Sequence, residues 1–291
     1  MTDAPLDVAL QVRAEHAEGP IWDEASARLW WIDITGQRVH EFDPASGRDA
    51  SWGVAGQPGA VFVAESGVPV VALPGRLARL DPASGRFATI VDVEADRPEN
   101  RANDGKIDSR GRCWIGTMAY DKSPGQAGLF CVDTERRVRR VVDGLTISNG
   151  PAFDEARGRM YLADTALGIV DVFDLDGGDP VNRRRFADLG DSGGWPDGMT
   201  VDVDGHLWVA VGRTSSVHRY APDGTLDGRV ELPVTNPTSV TFGGTDGGDL
   251  YITTSWFDLE PDERPGQPLA GAIFVTRPGV TGPPTRRLAG V

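Results

Sequence analysis

Apolar residues along this chain come in short runs that alternate with polar ones, and each run ends within a few residues at Gly, Asp, Asn or Pro. This pattern predicts β-strands joined by tight turns, because alternate residues of a strand share a face and turn residues interrupt the ladder. No stretch sustains the 3.6-residue period of a long amphipathic helix. One unit of the pattern is EGPIWDEASARLWWID, from Glu18 to Asp33, which reads as strand, polar turn and second strand. It returns as NDGKIDSRGRCWIG from Asn103, NGPAFDEARGRMYLAD from Asn149 and DGMTVDVDGHLWVA from Asp197. Weaker copies are PGAVFVAESGVPVVAL from Pro58 and TSVTFGGTDGGDLYIT from Thr238. Aligned on Trp22, Phe62, Ile107, Phe153, Val201 and Phe242, the copies lie 40, 45, 46, 48 and 41 residues apart.

A second hairpin follows each copy: RVHEFDPASGR from Arg38, RLARLDPASGR from Arg76, GLFCVDTERRV from Gly128, IVDVFDLDGGD from Ile169, SVHRYAPDGTL from Ser216 and GAIFVTRPGVT from Gly271. Two hairpins make a four-stranded antiparallel sheet. Six such sheets at this period predict an all-β, six-bladed β-propeller, read as a single domain over residues 1–291. The ring must close, and the run 6–12 is expected to supply the outer strand of the last blade, hiding an open edge. A pair of β-sandwiches is the competing architecture, but it calls for no six-fold register.

In a propeller the first strand of each blade lines the central channel. Four residues before each alignment point stand Glu18, Pro58, Asn103, Asn149, Asp197 and Thr238. Asn and Asp beside Gly are ordinary turn residues taken singly. Glu18 is a poor turn residue, however, and repetition of carboxylate or amide oxygens at one blade position needs another reason. Two carboxylates converging on an axis repel unless a cation lies between them. Oxygen donors without thiolate or imidazole suit Ca²⁺, Mg²⁺ or Mn²⁺, and a partial set leaves positions for water and substrate.

Composition narrows the function. The 40% hydrophobic content supports a large core. Lys+Arg 29 against Asp+Glu 43 gives a net charge of −14, which argues against nucleic acid or an anionic membrane as partner. Residues 1–10 lack the basic and apolar regions of a signal peptide, and no apolar run is long enough to span a bilayer, so a cytoplasmic protein is expected. Cys113 and Cys131 read as small buried hydrophobes, with their pairing left open. The four histidines, His16, His40, His206 and His218, show no His-x-x-x-His spacing, which argues against a standard zinc site.

The phrases AEGPIWD, NRANDGKIDSRGRCWIGTM, SNGPAFD, YLAD, PDGMTVDVDGHLWVA and QPLAGAIF, in order across residues 15–274, resemble the gluconolactonase / senescence-marker-protein (regucalcin) family of sugar lactonases. The resemblance implies a six-bladed propeller with one divalent metal ion (Ca²⁺, Zn²⁺, Mn²⁺, Mg²⁺ or Fe²⁺) in the channel. It also implies hydrolysis of a small-molecule aldonolactone, such as a glucono-, galactono-, xylono- or arabinono-lactone. By matching phrase, the implied metal ligands are Glu18, Asn149 and Asp197, and the implied substrate contacts are Arg101 and Asn103. An acidic residue after GTMA in relatives falls at Asp121, displaced here by Tyr120. Asp197 is the candidate general base and Asp104 a candidate for orienting Asn103 or Arg101. The segments 117–126 and 255–269, each with Pro, Gly and an aromatic residue, are candidate rim loops. Trp195 is either a substrate flank or a packing residue.

A monomer or weak oligomer is expected. Two other functional classes stay open on the sequence: a non-catalytic metal- or ligand-binding regulatory propeller, and an arylesterase- or phosphotriesterase-like hydrolase, which would hold a second, buried calcium.

Overall fold

The alternating runs form strands with both faces buried, which is why apolar residues occupy consecutive positions in phrases such as RLWWID. A computed structural model describes residues 4–190 and 193–291 and contains six four-stranded antiparallel sheets arranged as a β-propeller. The innermost strands are β2 (Ala17–Asp23), β6 (Ala60–Val63), β10 (Asn100–Ile107), β14 (Ser148–Asp154), β18 (Trp195–Val201) and β22 (Pro237–Gly243). In each of the first five blades the next three strands follow outward in chain order. Apolar clusters bridge neighbouring blades all round the ring. From β3 (Arg28–Asp33), Trp30 and Ile32 pack with Val61 and Val71 of blade 2, while Leu29 and Trp31 turn to Tyr251 and Ile273 of blade 6. The period of two thus sends alternate residues into opposite inter-blade cores.

The turns repeat as well. Asp108 and Asp202 each accept backbone N–H groups two and four residues on, and each also accepts the indole N–H of a buried Trp, Trp114 or Trp208, at 2.9 Å. These Asx-type bonds explain why Asp, Gly and Trp recur at fixed spacing.

Ring closure follows the expected route. β1 (Leu6–Leu10) pairs with β24 (Ile273–Thr276), Leu6 opposite Thr276 and Val8 opposite Phe274. The expected hairpin GAIFVTRPGVT does not form. Only Ile273–Thr276 is a strand, because Pro278, Pro283 and Pro284 have no N–H for a ladder and the ring takes its fourth strand from the N-terminal run.

The freed C-terminal segment becomes a strap across one end of the channel. Its Thr281 carbonyl accepts from Val203 of blade 5, and Gly282 donates to Gly247 of blade 6. Thr285 donates to Glu24 of blade 1, Leu288 pairs with Val63 and Glu65 of blade 2, and Ala289 donates to Gly111 of blade 3. Arg286 pairs with Glu155 of blade 4 at 2.9 Å, so the strap touches every blade. Cys113 and Cys131 are buried free thiols on adjacent strands. Burial pushes both thiols up, Cys131 to about 11, so neither carries thiolate character. No helix among the described residues is long and apolar enough to cross a membrane.

Candidate metal centre

Five of the six innermost strands carry one extra residue within one position of the same point in the repeat. In β2 the bulge lies between Glu18 and Ile21, in β10 between Ala102 and Gly105, and in β14 between Asn149 and Ala152. In β18 it lies between Pro196 and Met199, and in β22 between Pro237 and Ser239. A bulge breaks the ladder locally and re-aims side chains. The oxygen-bearing residues expected just ahead of the strands therefore sit inside them, at the bulges.

Glu18, Asn103, Asn149 and Asp197 all line one chamber of 580 Å³ at the end of the channel opposite the strap. Of the two remaining ring positions, Thr238 is buried and donates to the Ala17 carbonyl at 2.6 Å, tying blade 6 to blade 1, and Pro58 stands beside the lining residue Gln57. A second tier lies two residues earlier in four blades: His16, Arg101, Ile147 and Trp195, all on the same chamber. Residues i and i−2 of an extended chain share a face, so one strand supplies both tiers.

The lower tier is held by hydrogen bonds whose direction can be read. Thr165 donates its hydroxyl proton to the Pro196 carbonyl at 2.7 Å, so it can only accept from Asn149, whose NH₂ reaches it at 2.7 Å. The Asn149 oxygen is then turned toward Asn103, which donates to it at 3.0 Å and to the Ser148 carbonyl at 2.9 Å. Both amide protons of Asn103 are committed, which leaves its oxygen as the uncommitted atom. Asp104 braces the next blade: its carboxylate accepts from Gly105 at 2.7 Å and from Gly150 at 2.8 Å. Gly150 has φ +83°, a conformation that L side chains rarely adopt, so glycine is needed beside Asn149. Gly198 beside Asp197 is needed for space, since a Cβ there would lie 2.0 Å from Ser239 Oγ.

Charge is concentrated at the chamber floor. Burial, then Asp197 and Asp104, push the Glu18 carboxyl well above the usual carboxylate range, against the opposing Gly19 N–H. Burial, then Asp104, do the same to Asp197. Burial pushes Asp104 up to about 6, although Lys106 and two backbone N–H groups oppose it. Glu18 Oε2 accepts from Gly19, whereas Glu18 Oε1 is buried with no hydrogen-bond partner. A buried carboxylate oxygen without a donor is costly and marks a place for a ligand. Burial lowers the half-buried Arg101 to about 10, which leaves it charged at neutral pH.

His-x-x-x-His spacing is a helical signature and does not detect a ligand such as His16 at the entry to a strand. Its ring nitrogen, a Glu18 oxygen and an Asp197 oxygen lie within 4.8 Å of one another, so an imidazole belongs to the donor cluster that was expected to contain only oxygen. The signal in the sequence was the spacing His16-x-Glu18, which puts both side chains on one strand face. Burial lowers His16 to about 4, keeping the ring neutral.

Asp121 stands apart. It is exposed and accepts from the Ser123 N–H at 2.9 Å and hydroxyl at 2.7 Å, while its neighbours Tyr120 and Lys122 line the chamber. The chain turns at this point, with Lys122 donating to the Ala119 carbonyl at 3.0 Å, and Asp121 lies at the exposed tip of the turn. Segment 117–126 also contributes Met118, and segment 255–269 contributes Phe257 and Asp258. Tyr120, Trp195 and Phe257, all exposed by 40% or more, are three aromatic faces on one rim. The Arg213 guanidinium lies 5.0 Å from the Trp195 ring centroid and steadies it.

Fold and site together define a six-bladed propeller with a buried carboxylate–amide–imidazole cluster at one channel mouth. The chain belongs to the SMP-30/gluconolactonase/LRE-like family, whose model matches residues 16–256. It is 36% identical to the pentonolactonase XacC of Haloferax volcanii, with 93% of each chain covered. It is 33% identical to the regucalcin of Xenopus laevis, with 97% of each covered. The crystal structure of a calcium-binding regucalcin from Agrobacterium tumefaciens superposes with a TM-score of 0.92 at 28% identity, covering 98% of this chain and 97% of that one.

Proposed function

We propose that this protein hydrolyses the lactone of a small sugar acid with one divalent cation held by Glu18, Asn149 and Asp197. The observation that carries the reading is the unpartnered, buried Glu18 Oε1 beside a second carboxylate from another blade. Two mutually repelling carboxylates with an amide oxygen on the same chamber are the donor chemistry a divalent cation needs, so the residues fit the ion. Membership of a family that includes a pentonolactonase supports lactone hydrolysis.

A divalent cation at such a site supplies Lewis acidity toward an ester carbonyl. The protein's own groups do the rest. Asp197, half-buried and open to the chamber, takes a proton from water as the oxygen attacks the carbonyl carbon. It returns that proton to the ring oxygen as the ring C–O bond breaks, giving the open hydroxy acid. Arg101, anchored through the Ala102 carbonyl at 2.9 Å, donates to substrate oxygens. Asn103 accepts from a sugar hydroxyl through its uncommitted oxygen. The aromatic rim of Tyr120, Trp195 and Phe257 offers apolar faces to a sugar ring.

The test is a panel of aldonolactones assayed with metal-stripped protein, restoring one ion at a time, for wild type, Glu18→Gln, Asn149→Ala and Asp197→Ala. Turnover within a few-fold of wild type in all three variants would refute the mechanism. Cation binding without turnover of any lactone would favour the binding-protein reading.

A further inference from the structure

The inner cluster contains one donor that the fold does not require. His16 is fixed by its backbone: its N–H donates to Asp33 Oδ1 at 3.0 Å and its carbonyl accepts from Ile34 at 3.0 Å. Blade 4 has the same arrangement at Ile147, whose N–H donates to Asp164 Oδ1 at 3.1 Å and whose carbonyl accepts from Thr165 at 3.1 Å. The repeat is thus satisfied by an aliphatic side chain at this position. In blade 1 the position carries an imidazole, two residues ahead of Glu18 on the same face, with its ring nitrogen inside the Glu18–Asp197 cluster. Ser255 Oγ stands 3.3 Å from Nδ1, and the Phe257 ring meets the imidazole edge-on at 6.1 Å between centroids. These contacts orient the ring and leave Nε2 as the nitrogen for coordination.

Resting on the cation site proposed above, we infer that His16 is a further ligand of that ion and that it sets the protein's metal preference. Carboxylate and amide oxygens alone suit hard ions such as Ca²⁺ and Mg²⁺. An added imidazole shifts the site toward borderline transition ions of the Zn²⁺ class. The chain therefore prefers Zn²⁺ or a similar ion over Ca²⁺, and His16 is the cause.

Two measurements on the full chain test this without relying on turnover. Pulsed electron paramagnetic resonance of the Mn²⁺-loaded protein detects ¹⁴N coupling from an imidazole ligand. Titration calorimetry gives separate affinities for Zn²⁺ and Ca²⁺. The variant is His16→Ile, which copies the residue blade 4 uses and so is expected to fold. Nitrogen coupling should be present in wild type and absent in the variant. Removal of the imidazole should weaken Zn²⁺ binding by about tenfold or more and Ca²⁺ binding by less than about threefold. An ion bound without nitrogen coupling, coupling that persists in His16→Ile, or equal weakening of both ions overturns the inference while leaving the cation site standing. If wild type binds none of Mn²⁺, Zn²⁺ and Ca²⁺, the cation site itself is refuted and His16 ligation with it.

Discussion

The same inner strands build the two ends of the channel, a few residues apart, and the ends have opposite physical characters. On the strap side, Ile21, Phe62, Ile107, Phe153, Val201 and Phe242 line a chamber of 310 Å³, with residues 283–286 against it. Apolar side chains gather there beside Lys106, Asp154 and Asp202, and the strap hydrogen-bonds across the exit. On the other side, burial raises the carboxyls of Glu18, Asp104 and Asp197, and neighbouring carboxylates add to the rise at Glu18 and Asp197. One end contributes folding free energy; the other holds two facing carboxyls, Glu18 and Asp197, that a bound cation would relieve. The bulges mark the boundary, because there the regular pleat gives way to re-aimed polar side chains. A fold can carry a destabilised site when the rest of the ring is consistently packed.

The comparison is broken most directly at Glu18. Glu18→Gln should lower kcat/KM on a lactone by about 100-fold or more. In metal-free protein the same change should raise the melting temperature, because it removes one of three repelling carboxyls. A fall in the metal-free melting temperature would contradict the account of the charged end.

Phe62→Ala should do the reverse. This side chain is 2% exposed, so truncation should cost about 3–5 kcal/mol of stability by denaturant unfolding, with cation affinity little changed in the folded protein.

The pH response sharpens the contrast. A carboxyl whose folded pKa is raised stabilises the fold below its unfolded pKa, and that stability is lost as pH rises through the folded value. Asp104, at about 6, therefore lowers stability between about pH 4 and 6. His16 and His218, both lowered to about 4, oppose it by adding stability up to their ordinary pKa. Above about pH 6.5 the histidine contribution is complete, while the raised Glu18 and Asp197 still lose protons. Chelated protein should then lose about 1.4 kcal/mol for each unit of upward shift traversed, and a bound divalent cation should reverse the loss. Melting curves from pH 6.5 to 9, with chelator and with added ion, check both signs. The smallest effect is expected at Asp121. Asp121→Ala should leave kcat/KM within about twofold of wild type, because the residue is exposed and turned from the chamber.

Much of this was legible along the chain. Repeats at 40 to 48 residues specified the blades, and closure through the run 6–12 followed from the need to hide an edge. Glu18, Asn103, Asn149 and Asp197 were found by aligning the repeats and asking which positions carry oxygen. His16 was within reach of the same reasoning, since a period of two extends the ring by another tier, but a helical ligand spacing was applied to a strand. A match by phrase could not say that Asp121 falls in an exposed turn after the strand, since a turn's shape depends on the residues it packs against.

The sequence by itself determined how many blades there are, which residues face a channel, and that charge of one sign gathers there, because these follow from local periodicity and repeat spacing. Tertiary structure alone decided that five strands bulge at one level, that the Asn149 oxygen is turned toward Asn103 through Thr165 and Pro196, and that the C-terminal segment straps six blades. Those features depend on contacts between residues far apart in the chain, and no local pattern encodes the direction of a hydrogen bond made across blades.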